Sequence, residues 1–205
     1  MFDTVLTDEQ KTLGERLLPE MNDFYLAGGT ALALHIGHRR SLDFDLATFQ
    51  QISPFDLERR LISKKFKIQS VFTASSDEFS VLINNTRVTF FSFPFNVKPN
   101  IKWELGQITL PGIIELGAMK AYALGRRSKW KDYVDLFFLL KFKASLNDLI
   151  EKAKEIFSIH FNEKLFREQL CYFEDMDYSE TIEYMDYAPD DKEIMEFLET
   201  IAINI

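Results

Sequence analysis

Residues 24–46 read FYLAGGTALALHIGHRRSLDFDL. The apolar run Phe24–Ala27 ends in Gly28-Gly29-Thr30, and after a short apolar stretch the chain reaches Asp43-Phe44-Asp45. Side chains alternate along a strand, so a strand over 41–48 places Asp43 and Asp45 on one face and turns Phe44 and Leu46 toward a core. Two adjacent carboxylates repel unless a cation or proton lies between them, and a hard divalent ion such as Mg²⁺ suits an exposed pair. Glycines at 28 and 29 let the backbone approach a ligand, while Thr30 and the free amides of a helix start favour a phosphate. Each motif alone reads first as a turn or a solvated acidic pair. It is the joint spacing, with Asp43 fourteen residues after Gly29, that gives them weight.

The flanking sequence predicts a mixed α+β pattern. Thr7 and Gln10 have capping-box spacing for a helix running to about Pro19, FYLA reads as a strand, TALALHIG as a short helix ended by Gly37, and Pro54 opens a helix to about Lys64. KIQSVF, FSVLINN and RVTFFSF are rich in β-branched and aromatic residues and read as a meander with an Asn-Asn turn. From Pro111 the period becomes helical, near 113–125, 130–142, 146–158 and 162–173. Two domains are expected: residues 1–112 form the core with the sheet, and residues 113–205 a helical region.

Composition narrows the function classes. The 205 residues are 46% hydrophobic and carry a net charge of -8. The first ten, MFDTVLTDEQ, hold acids where a secretory leader would hold Lys or Arg, and no apolar run reaches membrane-span length, so a cytoplasmic protein without membrane contact is expected. The single cysteine, Cys171, is expected as a small buried residue without thiol chemistry. Residues 174–193, EDMDYSETIEYMDYAPDDKE, hold nine acids and one lysine and so account for the whole net charge. The remainder is neutral and leaves room for basic patches at His38-Arg39-Arg40 and at Arg126, Arg127, Lys129 and Lys131 around Trp130. Charge runs usually solvate, so an exposed, flexible acidic segment is the first reading. The second is that Tyr178, Tyr184, Met185 and Tyr187 let it dock on the basic patches.

In the helical half, Lys120 falls on an apolar stripe with Ile113, Leu116, Gly117 and Leu124. Either it meets an anion there or its stem packs while the ammonium reaches solvent. Held at a cost to stability, it should tolerate Lys120→Met with unchanged or improved stability. Asp132 and Asp135 share the next helix face; Asp132 suits a first helical turn, whereas Asp135 either pairs with Arg126, Arg127 or Lys120 or acts at a metal or as a base.

Strand, Gly-Gly-Thr, helix and a DxD strand resemble the nucleotidyltransferases of the DNA polymerase beta superfamily. GGTALALHIGHRRSLDFDL together with AMKAYALGRRSKWKDYVDLFFLL resembles, more narrowly, the AbiEii/AbiGii toxin family. The resemblance covers residues 24–142 and implies a nucleotidyltransferase fold followed by a helical half. It implies that Gly28, Gly29 and Thr30 contact phosphate, with Arg39, Ser41 and Arg127 completing the nucleotide site. Asp43 and Asp45 would hold Mg²⁺, Lys120 would steady the triphosphate, and Asp132 or Asp135 would complete the catalytic set. The implied reaction moves a nucleoside monophosphate from an NTP to an acceptor hydroxyl, with RNA such as a tRNA end as acceptor and an antitoxin protein as partner. One departure stands out. The superfamily draws a third carboxylate from a later strand, but no acid lies between Glu78 and Glu104. The alternative is therefore a catalytically weak nucleotide-binding or protein-interaction module of the same fold.

Overall fold

The computed structural model describes residues 1–124 and 126–204, so the expected helix end at residue 125 and the terminal residue 205 lie outside the described residues. The chain divides into two compact units. One comprises residues 6–31 and 41–111; the other comprises residues 1–5, 32–40 and 112–205. Residues 32–40 join the helical unit because His38 and Arg39 bond to Asp135, and residues 1–5 because the Phe2 amide donates to the Leu34 carbonyl.

The first unit contains α1 (Asp8–Leu17), β1 (Tyr25–Ala27), the start of α2 (Gly28–Ile36), β2 (Asp43–Thr48) and α3 (Pro54–Ser63). It continues through β3 (Ile68–Ala74), β4 (Glu78–Ile83), β5 (Thr86–Ser92), β6 (Ile101–Trp103) and β7 (Ile108–Leu110). The capping box of Thr7 and Gln10 forms at α1, and Ser53 with Pro54 caps α3. Five strands make a mixed sheet in the order β1-β2-β5-β4-β3, with β2 and β5 parallel and the other neighbours antiparallel. Asn84 and Asn85 both take positive φ (49° and 59°), the pattern a tight β4–β5 hairpin requires. Phe44, Leu46, Val88 and Phe90 are fully buried, and Gly14 of α1 lies against the Phe44 ring. The β6–β7 hairpin was not expected, since three-residue strands carry too short an alternation to read.

The second unit packs α4 (Ile113–Leu124), α5 (Trp130–Phe142), α6 (Leu146–Phe157), α7 (Glu163–Leu170) and α8 (Asp191–Ile203). Gly117 of α4 lies where a Cβ would collide with Leu139 of α5 and come within 3.0 Å of Leu149 of α6, so its missing side chain is what lets three helices meet. α8 replaces the end of the expected acidic tail. Asp190 caps it, Asp191 and Glu193 sit in its first turn, and Ile194, Leu198 and Ala202 form its buried stripe. Cys171 is half-exposed rather than buried. Among the described residues, no helix is long and apolar enough to cross a membrane.

Candidate functional site

Within the first unit, β2 presents the DxD motif as its alternation dictates: Asp43 and Asp45 are half-exposed on one face while Phe44 and Leu46 are buried on the other. The antiparallel register pairs Ala27 with Asp45, so the chain leaving β1 turns into α2 directly beside that carboxylate. Gly28 makes this turn with φ +66°, and a Cβ there would overlap the Asp45 carboxylate. Both the backbone conformation and the space therefore demand glycine. Gly29 is half-exposed at the helix start.

Thr30 and Ser41 are buried. The Thr30 hydroxyl donates to the Asp43 carbonyl, so in its 2.7 Å contact with Ser41 Oγ the serine supplies the proton. Both hydroxyls expected at a nucleotide thus bond to the protein itself and fix the start of α2 to β2. On the neighbouring strand, the parallel register sets Arg87 beside Asp43 and Thr89 beside Asp45. Arg87 Nε donates to Ser80 Oγ at 2.9 Å, and Thr89 Oγ1 lies 3.2 Å from the same oxygen.

Within the second unit, the remaining expected residues meet in an ion network that is buried except at Arg127, whose side chain is 48% exposed. Asp132 and Asp135, one helical turn apart on α5, have fully buried side chains. Lys120 Nζ of α4 lies between them, 2.5 Å from Asp132 Oδ1 and 2.6 Å from Asp135 Oδ2. Arg39 grips Asp135 with both arms of its fork, Nε at 2.7 Å and Nη2 at 3.0 Å, and Arg127 grips Asp132 likewise at 2.7 Å and 3.1 Å. His38 Nε2 donates to Asp135 Oδ1 at 2.8 Å; its Nδ1 is buried without a partner among the described residues, which fixes the Nε2–H tautomer.

These partners set the protonation states. Burial alone would raise the Asp135 carboxyl, but Arg39 and Lys120 outweigh it and hold the group well below the ordinary range. Lys120 and Arg127 do the same for Asp132. Burial pulls Lys120 down, yet the two aspartates keep it above its usual value. For His38 burial wins over its bond to Asp135, so the imidazole is neutral near pH 7.

Two expectations are corrected here. Lys120 does not reach solvent: it is buried against Asp132 and Asp135, the second of them a pairing the sequence offered, so removing it strands buried carboxylates rather than relieving a cost. His38 and Arg39 are buried network members rather than a basic surface patch, which leaves only Arg40 of that trio outside the core. The sequence signal for His38 in this network is its place directly before Arg39. Trp130 is a buried anchor stacked on Tyr133 at 6.0 Å, and Arg126 lies over the Tyr122 ring at 3.5 Å.

One family model matches the chain. Residues 13–111 match the family model described as nucleotidyl transferase AbiEii toxin of type IV toxin–antitoxin systems. The chain is 36% identical over 200 residues to the uncharacterized protein aq_aa25 of Aquifex aeolicus, covering 94% of this chain and 93% of that one. Among solved structures it is similar to MenT4, a nucleotidyltransferase toxin of Mycobacterium tuberculosis, with a TM-score of 0.58 and 13% identity over 96% of this chain and 85% of that one. It is also similar to JHP933 from Helicobacter pylori, with a TM-score of 0.55 and 17% identity over 96% and 91% of the two chains. At these identities the likeness to the solved structures concerns the fold.

Proposed function

Because this chain belongs to the AbiEii family of nucleotidyltransferase toxins, we propose that it moves a nucleoside monophosphate from an NTP to an acceptor hydroxyl on RNA, with Mg²⁺ held by Asp43 and Asp45. The observation that carries this reading is Gly28: it takes a left-handed conformation, and the Asp45 carboxylate stands where its side chain would be. Helix-start amides next to a half-exposed carboxylate pair support a reading in which an anion binds beside a cation.

The donor set fits a hard divalent ion. Two oxygen ligands on one strand face, with the rest of the shell from substrate phosphates and water, is a common way for proteins to hold Mg²⁺. When bound, the ion supplies positive charge that offsets the charge developing on the transferred phosphoryl group. The chain supplies placement. Gly28 and Gly29 offer backbone amides to phosphate oxygens, while Thr30 and Ser41 keep the helix start in register with β2. The acceptor oxygen bonds to the α-phosphorus, pyrophosphate leaves, and the hydroxyl proton passes to solvent. For Lys120, Arg39 and Arg127 we propose a nucleotide role that depends on Asp132 and Asp135 as positioning residues. A KM-against-kcat split in Lys120→Arg would separate that role from a purely structural one. A cognate antitoxin is the proposed protein partner.

Incubation with each radiolabelled NTP, Mg²⁺ and total cellular RNA tests the reading; labelled RNA is expected, and its loss in Asp43→Ala and Asp45→Ala. A second reading, nucleotide binding without efficient transfer, is favoured by Arg87 and Thr89 standing where a third carboxylate would sit beside the DxD strand. Mg-NTP binding without pyrophosphate release would select it.

A further inference from the structure

The acidic stretch is not a free tail in the helical unit. Residues 177–185 lie outside any helix or strand, yet backbone bonds pin them at both ends. The Asp177 amide donates to the Ser128 carbonyl at 2.7 Å, and the Trp130 amide to the Asp177 carbonyl at 3.1 Å. Six and eight residues on, the Arg40 amide donates to the Glu183 carbonyl at 2.8 Å and the Met185 amide to the His38 carbonyl at 3.0 Å. Tyr178 packs 5.2 Å from the Trp130 ring and Tyr184 6.0 Å from Phe138.

Between these pins the acids meet the surface cations. Glu180 accepts from Lys129 at 2.5 Å and also from Lys131, and Glu183 accepts from Arg40 Nε at 2.7 Å. Burial raises the Glu180 carboxyl, but its bonds to the two lysines hold it below the ordinary range, so it is ionised at neutral pH. The pairs stay open to water, with Glu180 38% and Glu183 63% exposed. Exposed pairs of this kind are weak and weaken further with salt. Lysine and arginine take phosphate oxygens by the same charge-assisted bonds with which they take carboxylates.

We propose that Arg40, Lys129 and Lys131 form a surface for the phosphate backbone of a nucleic-acid acceptor, and that residues 177–185 are a built-in acidic strap that occupies this surface until the acceptor displaces it. The proposal rests on the reading of RNA as acceptor. The strap lowers the fraction of molecules able to bind, and so weakens apparent affinity by that fraction.

The test uses the full chain and a fluorescein-labelled oligouridylate, with anisotropy read over a range of salt and no NTP present. Glu180→Gln/Glu183→Gln should bind about tenfold tighter at low salt, with the slope of log affinity against log salt steeper by about 2 as Arg40, Lys129 and Lys131 lose these two acidic partners. Glu151→Gln/Glu155→Gln removes the same charge from exposed positions on α6 and should leave binding near that of the parent. Adding Lys129→Gln/Lys131→Gln to the strap variant should abolish its gain. Circular dichroism and thermal melting check each fold, and Glu180→Gln alone, with a gain of about threefold, serves if the double variant misfolds. Equal tightening in the α6 control, a gain that survives loss of the two lysines, or no change at all would each overturn the strap. Failure of RNA labelling by NTP with these binding differences intact would remove the transfer reading and leave the strap standing.

Discussion

Two aspartate pairs of similar spacing lie in this chain, Asp43 with Asp45 on β2 and Asp132 with Asp135 on α5, and folding treats them in opposite ways. The strand pair is half-exposed and faces a glycine with no side chain to crowd it. The helix pair is fully buried, with one lysine between its members and an arginine fork on each. Taking a carboxylate out of water costs several kcal/mol unless cations and hydrogen bonds replace the lost hydration, so the helix pair is inseparable from its partners. A pair that keeps contact with water can exchange ligands. Residual hydration, rather than the spelling of a motif, separates a candidate metal site from a structural ion network.

The largest effects that would break or sharpen this contrast are expected at the buried pair. Asp135→Asn takes away the charge facing Arg39 and Lys120, and Lys120→Met leaves two buried carboxylates short of a cation; each should lower unfolding free energy by about 3–5 kcal/mol in chemical denaturation. A loss under about 1 kcal/mol in both would mean that the network carries little of the fold.

Next come Asp43→Ala and Asp45→Ala. Each should cut nucleotidyl transfer by about a thousandfold, the equivalent of several kcal/mol of charge stabilisation, while melting within about 0.5 kcal/mol of the parent. If either destabilises as much as Asp135→Asn, the distinction between the two pairs collapses.

A smaller effect is expected at the turn. Gly28→Ala should cost about 1–3 kcal/mol through its left-handed backbone and its collision with the Asp45 carboxylate. It should also weaken Mg-NTP binding in equilibrium dialysis, whereas normal stability and normal affinity would show that the turn relaxes freely.

The smallest is a pH effect. His38 has a folded pKa below the ordinary 6.5, so below that pH the unfolded chain takes up a proton that the buried imidazole does not, and stability falls as pH drops. The slope is at most about 1.4 kcal/mol per pH unit and should vanish in His38→Gln, measured by denaturation at pH 7.5, 6.5 and 5.5. Asp132 and Asp135 titrate far below this window: their contribution is complete above about 3.8 and is lost only as pH falls through their depressed folded values. An unchanged slope in His38→Gln would place the titration elsewhere.

Much of this was legible in the sequence because local chemistry dictated it. The capping box at Thr7, the Asn-Asn turn, the alternation across Asp43–Leu46 and the helical period after Pro111 are short-range signals, and the elements form where those signals lie. The pairing of Lys120 with Asp135 was among the readings the sequence offered, but the partner of Arg39 was not legible, because Arg39 and Asp135 are 96 positions apart and nothing local announces that they meet. The docking of residues 177–185 stood only as the second reading for a related reason: an acid run looks solvated until the cations facing it are known. In α8 the signal was present, since Asp190 and the Ile194, Leu198, Ala202 stripe form a capped amphipathic pattern, but the surrounding charge masked it.

The division of the chain has a consequence for synthesis. Residues 1–5 and 32–40 emerge from the ribosome early but belong to a unit whose remaining parts begin at residue 112, so His38 and Arg39 must wait for Asp135 before their charges are neutralised. Contacts over such separations form late and set the pace of folding. A nascent chain that ends at Pro111 contains the whole DxD sheet, yet it lacks residues 112–205, with which residues 32–40 form one unit. Synthesis of residues 112–205 is thus a precondition for the segment linking α2 to the DxD strand to take its final form.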